Sequence, residues 1–449
     1  MFASIRLRDF KCYSGSTGDI ALKPLTVIIG ANNSGKSTLL QALLLIKQTL
    51  ADRSRAVLVT TGPWVDLGAF QDIVHRNGGT TAETFSIAVT RDQDDYVRVE
   101  NAEKKGTGRG RKEHLPREVD ATFGFDSDTK QIAVDQVFLR RNGQAFAEVY
   151  ERGARWRVSG VSDAASKRLN VEFQHFFPAI FPKGLRTRRP VALRGLERAR
   201  RVAGILGAQA WIWESFFARI RHVAPLRPKM PWYGRIGEET PDTGFGGHNL
   251  LQRLASKFEV PGSGKSLMNR LNRLMCKEFK VLDALRFRSL DTAGTVVSLE
   301  GDEIGGAQGI NVAAMGEGVS QMLPIVAESL ASREGDCLLV EQPEIHLHPA
   351  AHAHLADLFI QMALGGRQFI VETHSEHVLL RLRRRVAEGK MPLEKVAILY
   401  VEKKGGCSSV RQLTLNDRGH YDDWPEGFFD EAYQEAMTLA ALSSRRKAQ

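Results

Sequence analysis

Three stretches of this 449-residue chain predict an α/β fold with a parallel sheet and a phosphate-binding loop. The first is Gly30-Ala-Asn-Asn-Ser-Gly-Lys-Ser-Thr38, which fits the pattern G-x-x-x-x-G-K-[ST]. It follows the apolar, β-branched run Leu25-Thr-Val-Ile-Ile29 and precedes the helix-forming Leu39-Leu-Gln-Ala-Leu-Leu-Leu-Ile-Lys47. The second is the C-terminal third, where the buried-strand runs Cys337–Val340, Gln368–Glu372 and Val396–Val401 alternate with helical stretches. That alternation is the pattern of crossovers in a parallel sheet. The third is a set of alternating runs at Ala121–Phe125, Gln131–Arg140, Ala145–Tyr150 and Ala154–Val158, which predicts an inserted antiparallel meander. The chain therefore divides into an N-terminal part, 1–100, an inserted β and helical basic region, 101–222, and a C-terminal part, 223–449.

Taken in order, residues 3–13 alternate polar and apolar as a half-buried strand does, and a turn through Ser14–Gly18 leads to Ile20–Leu22. Two antiparallel strands thus precede the loop, and the helix after it reaches about Leu50. A strand is expected at Ala56–Thr60, then the segment Trp64–His75 and a strand at Thr84–Thr90. Residues 101–118, polar and glycine-rich with clustered bases, read as an exposed, mobile loop. From Asp163 to His222 the pattern is mainly helical. Pro225–Gly247 is loop-like, Leu250–Phe279 helical and Thr295–Leu299 a strand. Gly316-Glu-Gly-Val-Ser320 opens a helix to about Ser332, Ala350–Leu364 is another, and a third runs through Glu388.

Composition narrows the class. With 43% apolar and 25% charged residues and no apolar run near the ~20 a membrane span needs, the chain reads as soluble and globular, with no membrane partner. Its N-terminus lacks the apolar segment of a signal peptide. Four scattered cysteines, Cys12, Cys276, Cys337 and Cys407, give neither a disulfide framework nor a zinc ribbon and point to a reducing cytoplasm. Net charge is +10, compatible with a polyanionic partner. Residues 183–201 carry Lys183, Arg186, Arg188, Arg189, Arg194, Arg198, Arg200 and Arg201 against one acid, Glu197. This is either a solvated face or a surface that neutralises nucleic-acid phosphates in a salt-dependent way.

The chemistry starts from the loop. A strand entering a glycine turn and then a helix aims successive backbone N–H groups and the positive helix end at one point, where a polyphosphate fits. Gly30, Asn32, Asn33, Ser34, Gly35, Lys36, Ser37 and Thr38 would cradle a nucleoside triphosphate. Lys36 would reach the β- and γ-phosphates and the Ser37 hydroxyl would ligate Mg²⁺. A magnesium-side carboxylate is expected on a neighbouring strand, and Glu341 after Cys337–Val340 supplies it. The next residue should align the attacking water, and it is Gln342, whose amide cannot take a proton. Loose phosphoryl-transfer transition states need positioning more than proton removal, so Gln342 would orient water at reduced rate or Glu344 would substitute. His374, directly after the strand Gln368–Glu372, stands where it could contact the γ-phosphate. His346, His348, His352 and His354 raise a metal reading, but no cysteine or acid cluster completes a tetrahedral site beside them. Arg227 is either a phosphate contact or a surface arginine, the second reading being favoured.

Phe10-Lys11, Pro24–Ser37, Glu341-Gln-Pro-Glu-Ile-His-Leu-His-Pro349 and Glu372-Thr-His-Ser375 together resemble the ABC-type ATPases of the SMC/RecF/OLD (overcoming lysogenization defect) group. Stand-alone OLD-like ATPases share the Glu-Gln-Pro-Glu form and an ending like Trp424–Asp430. The resemblance implies a P-loop NTPase of ABC-ATPase type, with ATP as its nucleotide and a mixed sheet flanked by helices. It places Glu341 at the Walker B acid, Gln342 at the catalytic glutamate and His374 at the switch histidine. His346–Pro349 would contact a partner subunit, and Gln71 would bridge Mg²⁺ to water. Gly316 and Gly318 would belong to the signature motif that caps a partner's γ-phosphate, although Gly316 stands where a serine is usual and Ser320 is the candidate to compensate.

Implied with these roles are a slow ATPase, a homodimer or higher oligomer, and action on DNA or a separately encoded effector such as a nuclease. Full-length OLD proteins carry a TOPRIM nuclease, whereas some 75 residues follow His374 here. Anti-phage defence or DNA maintenance is the expected setting. The alternatives are a non-hydrolysing ATP-binding scaffold and a transporter ATPase subunit.

Overall fold

A six-stranded sheet carries the phosphate loop. The computed structural model describes residues 1–54, 56–93, 95–99, 111–141, 143–151, 156–158, 169–182, 197–235, 249–258 and 263–425. Across this sheet the order is Ile220–Val223, Cys337–Glu341, Gln368–Glu372, Leu25–Gly30, Val396–Lys404 and Cys407–Leu413. The first five strands run parallel and the last turns back antiparallel. Leu25–Gly30 is buried along its whole length, as a strand covered on both faces must be. Its side chains alternate: Leu25, Val27 and Ile29 enter one apolar cluster and Ile28 the other.

On the first face the helices Glu317–Ala331, Pro349–Leu364 and Glu376–Ala387 supply Leu323, Phe359 and Leu382 to the core. On the second, the loop helix Lys36–Ala51 packs between the sheet and a seven-stranded antiparallel sheet. That second sheet joins Phe2–Arg8, Ile20–Ala21 and Thr84–Arg91 to the meander strands Glu118–Asp126, Gln131–Arg141, Gln144–Glu151 and Trp156–Val158. The meander thus extends the sheet that the N-terminal strands begin, with Ile87 opposite both Leu7 and Ala121. A smaller antiparallel sheet of Gly234–Arg235, Ala284–Ser289, Val296–Asp302 and Ile310–Asn311 lies beside the helix Leu250–Phe258.

Three local expectations fail for identifiable reasons. Ala56–Thr60 is not a strand, because Val59 makes both its backbone hydrogen bonds with side chains of the loop helix and Ala56 pairs with Ser54 and His175. The Val59 N–H donates to Thr49 Oγ1 at 3.0 Å, and the Val59 carbonyl accepts from Gln48 Nε2 at 2.8 Å. Gln48 Oε1 also takes the N–H groups of Trp64 and Val65, so one buried amide holds the whole loop. Residues 111–114 are not loop but a strand paired with Tyr96–Val99, and Leu115 after them is buried. Residues 101–110 lie outside the described residues. Among the described residues between 163 and 196, which are 169–182, the chain is not helical. It holds the hairpin Leu169–Gln174 and Phe177–Pro182, turning at His175 with φ +54°. Leu169, Val171 and Phe173 alternate with polar residues, the period of a strand. Of the basic stretch, 183–196 lies outside the described residues.

One buried amide ties the two sheets together. Gln368 accepts the Phe2 N–H at 2.8 Å and donates to the carbonyls of Phe2 and Lys23 at 2.8 and 3.2 Å. Gln368→Ala strands a buried N–H and two carbonyls, so chemical denaturation should register a loss of about 2–4 kcal/mol. A loss under about 0.5 kcal/mol would mean the sheets are joined by their apolar contacts alone.

Candidate functional site

Parallel pairing sets the loop and two acidic strand ends at one edge of the sheet. Glu372 is level with Ile28 on one side and with Glu341 on the other. Gly30 and Gly35 allow the loop its path. Gly30 has φ +149°, and a Cβ there would lie 2.1 Å from the Val401 carbonyl oxygen. Gly35 has φ +106°, and its Cβ would meet Cys12 Sγ at 2.5 Å. The helix begins at Lys36 without a side-chain cap, leaving its first N–H groups to an anion.

A cleft of about 570 Å³ opens here, lined by Asn32, Asn33, Ser34, Gly35, Lys36, Ser37 and Thr38 together with Gln71, Gln342, Glu372 and His374. Lys11, Arg76 and Lys403 add cations to its wall. Lys36 is buried, and its Nζ donates to the carbonyls of Gly30 and Ala31 at 3.0 and 2.7 Å. Burial holds its ammonium below the usual lysine range against the pull of Glu372 and Glu344, and burial lowers Lys11 in the same way. The Ser37 hydroxyl donates to Glu372 Oε1 at 2.9 Å. Burial pushes the Glu372 carboxyl up to about 7, with the nearby Glu341 adding to the shift and the Ser37 hydrogen bond opposing it.

The remaining candidates take separate places. Glu341 Oε1 lies 2.7 Å from His222 Nε2, on the strand to its other side. Gln342 holds φ +43°, a conformation that costs a non-glycine residue energy, and its N–H donates to the Glu372 carbonyl at 2.8 Å. Glu344 holds the turn after the histidine strand: its oxygens accept Thr373 Oγ1 at 2.8 Å and the His374 N–H at 2.5 Å. His374 is kept below the ordinary histidine range by burial first and by Lys36 second. Gly316 and Gly318 do not reach this cleft. They line a second one of about 970 Å³ with Phe279, His346, Leu347 and His348.

The four clustered histidines take separate partners. His346 faces Glu317 at 3.5 Å, His348 caps its helix at the Ala350 N–H, His352 bonds Ser375 Oγ at 2.9 Å, and His354 packs on Phe279. Arg227, expected at the surface, is buried instead. It donates to the carbonyls of Gln321, Glu341 and Gln342 at 3.1, 3.0 and 3.3 Å, and burial lowers its guanidinium to about 10. Glu372 and His222 carried no assigned role in the sequence. The signal for Glu372 was that its strand ends in an acid as Cys337–Glu341 does.

A cleft edged with a lysine-bearing glycine loop, cations and the strand-end carboxylate of Glu372 suits a triphosphate with a hard cation. The Ser37 hydroxyl and the Glu372 carboxylate offer oxygen donors of the kind Mg²⁺ takes, and Glu372 Oε2 is buried without a hydrogen-bond partner. The family described as "AAA domain, putative AbiEii toxin, Type IV TA system" matches residues 25–381. The chain belongs to this AAA family. A family described as a protein of unknown function, DUF3696, matches residues 392–439. No curated protein matches the chain.

Among solved structures, the chain is similar to an Smc head bound to the C-winged helix domain of ScpA, at 16% identity and TM-score 0.46, covering 92% of this chain and 98% of that one. A Pyrococcus furiosus Smc head with an extended coiled coil, bound to the C-terminal domain of ScpA, gives 14% identity and TM-score 0.45, covering 99% of both chains. The Thermotoga maritima SMC head gives 11% and 0.40, covering 92% of this chain and 99% of that one. Family membership and the parallel sheet agree with the SMC/RecF-like ABC-type ATPase that the motifs resemble. No helix among the described residues is long and apolar enough to cross a membrane.

Arg227 gives this site its first test. Arg227→Lys keeps the charge but loses the fork that spans Gln321, Glu341 and Gln342. Stability should fall by about 2–3 kcal/mol in urea, and ATP turnover by tenfold or more as Gln342 loses its support. Unchanged turnover in a destabilised variant would restrict Arg227 to folding.

Proposed function

We propose that this ATPase works as a slow, dimeric, ATP-driven switch. The observation that carries the reading is the separation of the two clefts. Within one chain Lys36 and Ser37 line one, and Gly316 and Gly318 line the other. A signature motif that cannot serve its own nucleotide is suited to a partner's, in a head-to-tail pair where the free N-terminus of the helix Glu317–Ala331 faces the other chain's γ-phosphate.

Each residue then has a task. Lys36 and the loop N–H groups bind the β- and γ-phosphates, and Ser37 and Glu341 would hold Mg²⁺ with Gln71 beside them. The cation supplies charge neutralisation on the transferring phosphoryl group. Gln342, held at the cleft wall by its N–H and by Arg227, orients water with its amide but accepts no proton. Glu344 has both oxygens engaged and so positions His374, which contacts the γ-phosphate. Slow turnover follows, because general-base assistance is missing. The switch acts on DNA or on a separately encoded effector such as a nuclease, in anti-phage defence or DNA maintenance. The family's description as part of a toxin–antitoxin system supports a regulatory partner of that kind.

Phosphate release by the wild type should be slow but measurable, and Lys36→Ala and Glu341→Gln should each reduce it by about a hundredfold or more. Gln342→Glu should accelerate it about tenfold or more by restoring a base. A wild type that binds ATP yet releases no phosphate over hours would be a scaffold. One that neither binds nor hydrolyses ATP would end the nucleotide reading.

A further inference from the structure

The two acids that end neighbouring strands are in register, yet their surroundings differ. Glu341 has an imidazole partner in His222. Glu372 is 2% exposed, and one oxygen accepts the Ser37 hydroxyl. Its other oxygen is buried without a hydrogen-bond partner. Lys36, the nearest cation along the loop, directs its Nζ to the carbonyls of Gly30 and Ala31 instead. Lys11, Lys36, Arg76 and Lys403 lie along the cleft, with Asp72 beside Arg76 at 3.7 Å, while the buried acid Glu372 stands against the hydroxyl at the start of the helix. A buried, half-satisfied carboxylate opposes the entry of a triphosphate, because like charges a few ångströms apart in a low dielectric repel strongly.

We propose that Glu372 is a direct ligand of the divalent cation that accompanies the nucleotide, and that it makes triphosphate binding conditional on that cation. The inference rests on the nucleotide reading of this cleft. Mg²⁺ is held by one or two carboxylates together with substrate phosphates, and the unpartnered oxygen beside Ser37 supplies such a donor. With the cation present, the carboxylate and the phosphates share one positive charge centre. Without it, the carboxylate excludes the phosphates. Glu372 thus does more than add affinity, since it rejects nucleotide that arrives without metal.

The test is equilibrium binding of a fluorescent, non-hydrolysable ATP analogue to the full chain at about pH 8.5, above the value of about 7 to which burial raises Glu372, in Mg²⁺ and in excess EDTA. The wild type should bind about a hundredfold more weakly without the cation. Glu372→Gln should bind about tenfold or more tightly than the wild type in EDTA and more weakly in Mg²⁺, so that the two conditions converge. An unchanged ratio between conditions overturns the inference, as does a wild type that binds equally well in both. A wild type that binds in neither sinks the nucleotide reading itself. Glu372→Asp gives an independent check by electron paramagnetic resonance of Mn²⁺ in the nucleotide complex. Withdrawing the carboxylate should weaken Mn²⁺ about fivefold or more, and unaltered Mn²⁺ affinity overturns the assignment whether or not the glutamine variant folds.

Discussion

Parallel pairing between Leu25–Gly30 and Gln368–Glu372 is the constraint on which the rest depends. It joins segments more than three hundred residues apart and levels Ile28 with Glu372, which brings Ser37 to within 2.9 Å of that carboxylate. A slip of one residue in this register would turn Val27 and Ile28 to each other's faces and separate hydroxyl from acid. The two apolar clusters oppose such a slip, because alternate side chains of one strand are committed to opposite cores. Site geometry and core packing are thus one arrangement.

Much of this was legible in the sequence because the signals are local. The strand, glycine turn and helix around Lys36 carry their own spacing, and so do the acid-ended strand at Glu341 and the histidine-ended strand at His374. The meander announces itself by alternation, clearest along Glu118–Asp126, where Val119, Ala121, Phe123 and Phe125 interleave with polar residues and glycine. What was not legible depends on long-range partners. Ala56–Thr60 has the residues of a strand, but a glutamine and a threonine on the preceding helix take the hydrogen bonds of Val59 within it. Arg227 has the composition of a surface residue, and only the fold shows three buried carbonyls waiting for a guanidinium. His222 has nothing to mark it until its strand is laid beside Glu341.

The same dependence on distant partners explains how the acidic side of the cleft is organised. Glu341 and Glu372 end adjacent strands and Glu344 lies in the turn after the first, and three like charges at one edge would repel if left alone. Each is handled differently. Glu341 is paired with an imidazole, Glu344 is tied into the turn at His374, and Glu372 has one oxygen on a hydroxyl and one left over. Chemistry is available where compensation is incomplete.

The C-terminal hairpin Val396–Leu413 also forms part of the loop's surroundings. Ser408 Oγ donates to the Ser34 carbonyl at 2.6 Å, its N–H donates to the Cys12 carbonyl, and the Val401 carbonyl lies against Gly30. Residues separated by 374 positions in the chain therefore shape each other's permitted substitutions. A larger side chain at Ser408, or a shift of the Val401 carbonyl, presses directly on the glycine loop. A chimera that exchanges one without the other should lose its grip on phosphate even with every signature residue retained.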